Sequence, residues 1–312
     1  MKINCKKGKL SIVLIIVLLL IWGCNGNQRP SPEENKSKPP EVPETFTRME
    51  EELLTTMFAI DGVAGLEKVI EEVEKAKKQV EMESEVELDA EEKKEPKKKA
   101  IDINMFLYQE STVIPLLEEE GIESDIVMVD DPPENIDSIW YQIDNLVASV
   151  HKNWNSLEPS LKKAGASDDS IRRFENYLSD TSVTVSNKDT LQSLMKLNRL
   201  SSYLNDFREN FTSKSPMQVY EVKYHLRQSV LMASQEDFLG AEVEIKKAND
   251  VGGDLKQPLV EKNKGDVYQQ FKLSIEDYMQ QLAVESFYIT QVKGSIVMEN
   301  IEKMIEVFES GK

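Results

Sequence analysis

Apolar positions along this chain recur at helical spacing, and the strict alternation that marks a half-buried strand is almost absent. Leu66, Val69, Val73, Ala76 and Val80 step by three and four residues between Glu and Lys, which predicts an amphipathic helix over 65–90. The seam fades after Val80, and residues 81–99 become a charged run ending in Glu95-Pro96-Lys97-Lys98-Lys99, read as a helix end and a connection. A short apolar patch, Ile101 to Tyr108, and a helical piece near 115–120 stopped by Gly121 come next. The longest stripe contains Ile136, Ile139, Trp140, Ile143, Leu146, Val147, Val150, Trp154, Leu157 and Leu161. It predicts a helix over 134–163 closed by Gly165. Further helices are expected over 168–180, 188–212, 216–233, 235–250 and 265–309, the last with a break around Gly294.

Capping chemistry supports these starts. Asp131-Pro132-Pro133-Glu134 offers an N-cap carboxylate, prolines in the first turn and a Glu at N3, and Ser215-Pro216-Met217-Gln218 repeats the arrangement. Ser186 with Asp189 and Ser234 with Asp237 are weaker versions of the same box. The expected fold class is all-α, an antiparallel helical bundle carried on a tether.

The N-terminal segment sets the address. Lys2, Lys6, Lys7 and Lys9 precede an apolar run from Ile12 to Trp22 that is short for a bilayer span, the pattern of a signal peptide. At its end Ile21-Trp22-Gly23-Cys24 resembles the lipobox of bacterial lipoproteins, with Trp22 where that family usually has a small or β-branched residue. The resemblance implies cleavage between Gly23 and Cys24. It also implies lipidation of Cys24, and anchoring at the extracytoplasmic face of the cell membrane by diacylglycerol and palmitate-type acyl chains. The helical part that follows resembles, in general terms only, helical lipoproteins of Gram-positive bacteria. Cys5 lies within the segment that would be removed, which leaves Cys24 as the one cysteine and no intramolecular disulfide. The expected organisation is a signal peptide over 1–23, lipidated Cys24 and a Pro-rich tether over 24–45, and N-terminal amphipathic helices over 46–94. A charged connection over 95–130 and a C-terminal bundle over 131–309 complete it.

Charge and chemistry narrow the function. The chain has 56 acidic against 38 basic side chains, and loss of the lysines at 2, 6, 7 and 9 takes its formal charge from −18 to −22. A surface this acidic disfavours nucleic acid and anionic membranes and favours cations or basic partners. Only His151 and His225 are present, too few for a zinc site unless remote ligands converge. Glu221 lies one turn before His225, and Tyr220 and Tyr224 flank them, so Tyr220, Glu221, Tyr224 and His225 form a candidate ligand or metal site. The carboxylate groups at Asp130-Asp131, Asp168-Asp169 and Asn249 to Asp254 do not match an EF-hand and read as helix ends. Phosphate-cradling loops and the G-x-S-x-G elbow are missing from the sequence, so no catalytic residue and no cofactor is expected. Two aromatic ladders, Trp140 with Trp154 and Tyr203 with Phe207 and Phe211, read as bundle core.

The function expected from these features is a non-catalytic interaction or scaffolding lipoprotein that binds another cell-envelope protein. The alternative is an extracytoplasmic binding protein for a cation or small ligand; an enzyme built on His225 and Glu221 is the third reading. Intact-mass analysis of the membrane fraction checks the address: the mature chain is expected to start at an acylated Cys24, and Cys24→Ser to accumulate as the unlipidated precursor. Retention of Met1 on the wild-type protein would overturn it.

Overall fold

The computed structural model describes residues 38–86 and 101–310; Gly23, Cys24 and the charged run over 87–100 lie outside them. The fold is all-α. The helices are α1 (Glu44–Asp61), α2 (Val63–Val86), α3 (Ile103–Glu110), α4 (Ile114–Glu119), α5 (Ile136–Ala164) and α6 (Asp168–Ser186), followed by α7 (Thr190–Arg208), α8 (Met217–Ala233), α9 (Phe238–Gly253), α10 (Lys256–Glu261), α11 (Gly265–Leu282) and α12 (Phe287–Glu309). No strand occurs among the described residues, only an isolated bridge between Glu41 and Thr212. None of these helices is long and apolar enough to cross a membrane.

Two closed rings of four helices make up the unit that begins at Pro39. In the first, α1 packs on α5 and α7 while α6 joins α5 to α7; in the second, α8, α9, α11 and α12 each pack on two neighbours. Contact of α7 with α8, and of α4 with α12 and α1, fuses the rings around one hydrophobic core. Four-residue connections at 234–237 and 283–286 force α8/α9 and α11/α12 to run antiparallel. The turns share a device: Lys188, Glu236 and Glu285 take left-handed φ values of 58°, 62° and 53° just past a helix end. Asp189 and Asp237 follow immediately and accept from the backbone N–H of Gln192 (3.1 Å) and Gly240 (2.9 Å). The caps are thus these aspartates rather than Ser186 and Ser234.

Other ends also depart from the sequence expectation. Asn135, not Asp131, caps α5 by accepting from Ser138 N at 2.9 Å. Gly165 closes that helix at φ 100°, where a side chain would be strained. Gly294 does not break the last helix. It lies inside α12, where a Cβ would meet Val230 at 3.1 Å and Tyr278 at 3.5 Å, so it permits close packing, while the break falls at 283–286. Both aromatic ladders are core: Trp154 stacks on Phe174 at 4.1 Å, with Phe207 at 5.8 Å, and Phe46 of α1 meets Phe211 edge-on.

The entry to α4 is held from outside. Asp61, at the buried end of α1, accepts from the backbone N–H of Thr112 (2.9 Å), Val113 (2.7 Å) and Ile114 (2.8 Å), the orphan donors at the start of α4. Gln291 of α12 donates to the carbonyls of Ser111 (2.8 Å) and Thr112 (3.2 Å), so one short loop locks three elements together. Burial pushes the Asp61 carboxyl up to about 6 from 3.8, against the downward pull of the three backbone donors. The folded protein then retains a proton that the unfolded chain has lost, so the contribution of Asp61 is fully present below pH 3.8 and declines as pH rises through about 6. Asp61→Asn is expected to flatten that dependence. The stability difference between wild type and Asp61→Asn, measured by urea unfolding, should fall by on the order of 3 kcal/mol between pH 4 and pH 7. A difference that rises with pH would contradict the assignment.

Candidate functional site

A polar cleft of about 610 Å³ opens where the two rings meet, and its inner end continues into a chamber of about 140 Å³. One wall is α1, with Thr47, Glu50, Glu51 and Leu54; the opposite wall is α8, with Tyr220, Lys223 and Arg227. Glu302, Ile305 and Glu309 of α12 form a third side, and Arg208 ends α7 beside the loop Thr212 to Lys214. The segment before α1 forms part of the rim at Glu41 and Val42. It is fastened there because Thr212 donates its N–H to Pro40 O at 2.7 Å and its hydroxyl to Pro39 O at 2.9 Å.

The floor is a buried ion network. Glu120, 2% exposed and at the end of α4, pairs with Arg227 and lies 3.4 Å from Lys223 Nζ. Lys223 also pairs with Glu302. Arg227 also donates through Nε to Asn198 Oδ1 (3.0 Å) and Nη2 to Ser201 Oγ (3.2 Å), both on α7. Burial works against the charge of Glu120, yet Arg227 and Lys223 outweigh it and hold the carboxyl below the usual range. Burial also works against Lys223, and Glu120 with Glu302 overcomes it and raises the ammonium. Glu302 is raised, by burial first, despite Lys223 beside it. Arg208 pairs with Glu50, and its guanidinium lies 3.7 Å from the Tyr220 ring centroid and 4.8 Å from that of Phe46.

The polar groups of this cleft without a partner among the described residues include three beside the ion network. Asn205 of α7 is 6% exposed and borders the inner chamber, yet its side-chain amide makes no hydrogen bond among the described residues. The Tyr220 hydroxyl likewise has none, and Arg208 Nε is buried and unpaired. Of these, only Arg208 Nε is shut away from the cleft; the Asn205 amide and the Tyr220 hydroxyl open onto it and can engage a ligand.

Of the four residues singled out in the sequence, α8 sends only Tyr220 into this cleft. His225 Nδ1 is 2.7 Å from Glu244 Oε2 of α9, whose other oxygen accepts from Lys247 at 2.7 Å. Glu221 is half-buried and raised by burial, with His225 pulling it down. Tyr224 contacts the His225 ring at 4.9 Å and accepts from Arg199 Nη1 at 3.4 Å. Glu221, Tyr224 and His225 therefore belong to the α8/α9 and α7/α8 seams, away from Tyr220. His151 is exposed and bonded to Ser182 Oγ at 2.8 Å. Among the described residues no three His, Cys, Asp or Glu side chains converge closely enough to hold a metal ion.

No family model, no curated protein and no solved structure matches this chain, so the roles of these residues rest on geometry. The geometry has a direct energetic consequence. Glu120→Gln leaves Arg227 and Lys223 buried without their shared counter-charge and is expected to cost about 3–5 kcal/mol at pH 7. Adding Arg227→Met should recover part of that loss. The Glu120 contribution is present above its unfolded value of 4.5 and is lost as pH falls through the lower folded value, so the variant and wild type should converge on acidification. A cost under about 1 kcal/mol in urea unfolding would mean that the network behaves as a solvated surface.

Proposed function

We propose that this chain is a lipoprotein anchored at the extracytoplasmic face of the cell membrane through acyl chains on Cys24, and that its helical unit is a non-catalytic binding module for a small polar ligand. The single observation that carries the reading is the unpaired Asn205 amide at the inner end of a charge-bordered cleft. The Asn205 amide is unpartnered among the described residues and opens onto the chamber, so a ligand offering one donor and one acceptor can engage both of its ends. The lipobox resemblance supplies the location, and the Pro-rich stretch supplies reach away from the lipid surface.

A second reading, interaction with another envelope protein, draws on a different part of the bundle. At the adjacent α8/α9 and α11/α12 turns, Leu239 is 78% and Tyr288 73% exposed, beside partly buried Phe238 and Phe287. Side chains of that size in water at one end of a bundle suit a protein contact.

Mass spectrometry of protein extracted from its native membrane separates the two. Under native conditions the wild type is expected to have a non-covalent mass of a few hundred daltons that disappears on denaturation and is missing from Asn205→Leu. If no such mass is present, and crosslinking instead captures a protein partner lost in Leu239→Glu/Tyr288→Glu, the cleft reading gives way to the second.

A further inference from the structure

We propose that the cleft is a site for a small organic dication, an alkyl diamine whose ammonium groups meet two of the carboxylates Glu41, Glu51 and Glu309 at the mouth while its chain runs inward toward Asn205. The proposal deepens the binding reading above and rests on it.

Charge balance selects the class. The cleft and its chamber contain six carboxylates, at 41, 50, 51, 120, 302 and 309, against four cations, at 208, 214, 223 and 227. Three of the cations are already neutralised within the protein: Arg208 by Glu50, Arg227 by Glu120, and Lys223 by Glu120 and Glu302. What remains is Glu41, Glu51 and Glu309, none with a cation beside it among the described residues, facing the single exposed Lys214. The surplus of two negative charges favours an occupant of charge +2 and repels an anion.

A divalent metal would satisfy the same arithmetic but not the geometry. Calcium needs six to eight oxygens within about 2.6 Å. Glu41 lies before α1, Glu51 on its second turn and Glu309 at the end of α12, and they do not converge as metal ligands. Ammonium groups separated by methylene units suit spread carboxylates, because each takes its own acceptor and the apolar linker can lie along Val42, Leu54 and Ile305. The inner chamber then contributes the unpaired Asn205 carbonyl and the Tyr220 hydroxyl as acceptors for a nitrogen that reaches so far. An amine nitrogen has donors to spare, which matches a pocket whose free carboxylates accept only.

The test uses titration calorimetry on the detergent-solubilised mature protein with the diamines putrescine and cadaverine, and with succinate and calcium as controls. Putrescine or cadaverine should bind and succinate and calcium should not. Affinity should fall with added salt, weaken about tenfold in Glu51→Gln, whose side chain is exposed and outside the core, and be lost in Asn205→Leu. Equal amine affinity in wild type and Glu51→Gln would overturn the proposal, because the positive charge would then be bound elsewhere. Succinate binding that is lost in Asn205→Leu would overturn the dication while leaving the cleft as a binding site. Absence of binding by every probe, together with native protein free of any non-covalent mass, would remove both readings.

Discussion

The bundle closes around a carboxylate. Glu120 has almost no exposure, and an unpaired charge in that position would cost many kilocalories per mole, enough to unfold a domain of ordinary stability. It is tolerable only where Arg227 and Lys223 stand one turn apart on α8 and face it, and Lys223 in turn needs Glu302 from α12. Asn198 and Ser201 of α7 accept from Arg227 Nε and Nη2. Four elements must therefore be in register at once, and a slipped packing of α8 against α12 would strand a buried charge. The network thereby disfavours alternative alignments of amphipathic helices whose apolar stripes are otherwise interchangeable.

The same logic explains how a helix as short as α4 persists. Six residues cannot hold a helix in water, because nucleation costs more than so few hydrogen bonds return. Here both ends are pinned by charge: Asp61 holds the N–H groups at the start, and Glu120 is clamped by α8 at the finish. Between them Ile114, Leu116 and Leu117 enter the core against α12. Glu120 thus lies on the floor of the cleft because of where α4 ends, and α4 ends there because Asp61 and Glu120 fix it.

Much of the scaffold was legible in the chain, because period and caps are local signals. The stripe from Ile136 to Leu161 with Gly165 after it specifies α5 almost completely, since each buried residue announces itself by spacing and the left-handed close needs glycine. The α11/α12 break was misplaced for a physical reason: Gly294 looks like a helix breaker, but its missing Cβ serves packing against Val230, and the actual break uses Glu285 in a left-handed turn that sequence does not advertise. The cleft was hardly legible at all. Its charges come from five separated segments, and on any single helix Lys223 or Glu302 reads as a solvated face. The one local hint was Arg227, set between Leu226 and Val230 on an otherwise apolar side of α8, where a surface arginine does not belong. The sequence singled out His225 and Glu221 instead because titratable pairs one turn apart are conspicuous, yet His225 is bonded to Glu244 on α9 and joins two helices.

What distinguishes the cleft from the rest of this polar molecule is how its polar groups are held. Asn205 is packed into α7 with its amide open to the inner chamber, so its neighbours fix a donor and an acceptor where a binding partner can reach them. The ion pairs on the floor add little stability of their own, since apolar side chains of similar volume pack at least as well in such positions. The molecule as a whole adds a field: with a surplus of acid over base spread across its surface, cations are drawn toward it, and the free carboxylates at the mouth of the cleft add to that attraction. At the junction of two well-packed rings the open amide of Asn205, the exposed carboxylates of the mouth and the buried pairs of the floor give the cleft donors, acceptors and a negative bias that no single helix provides.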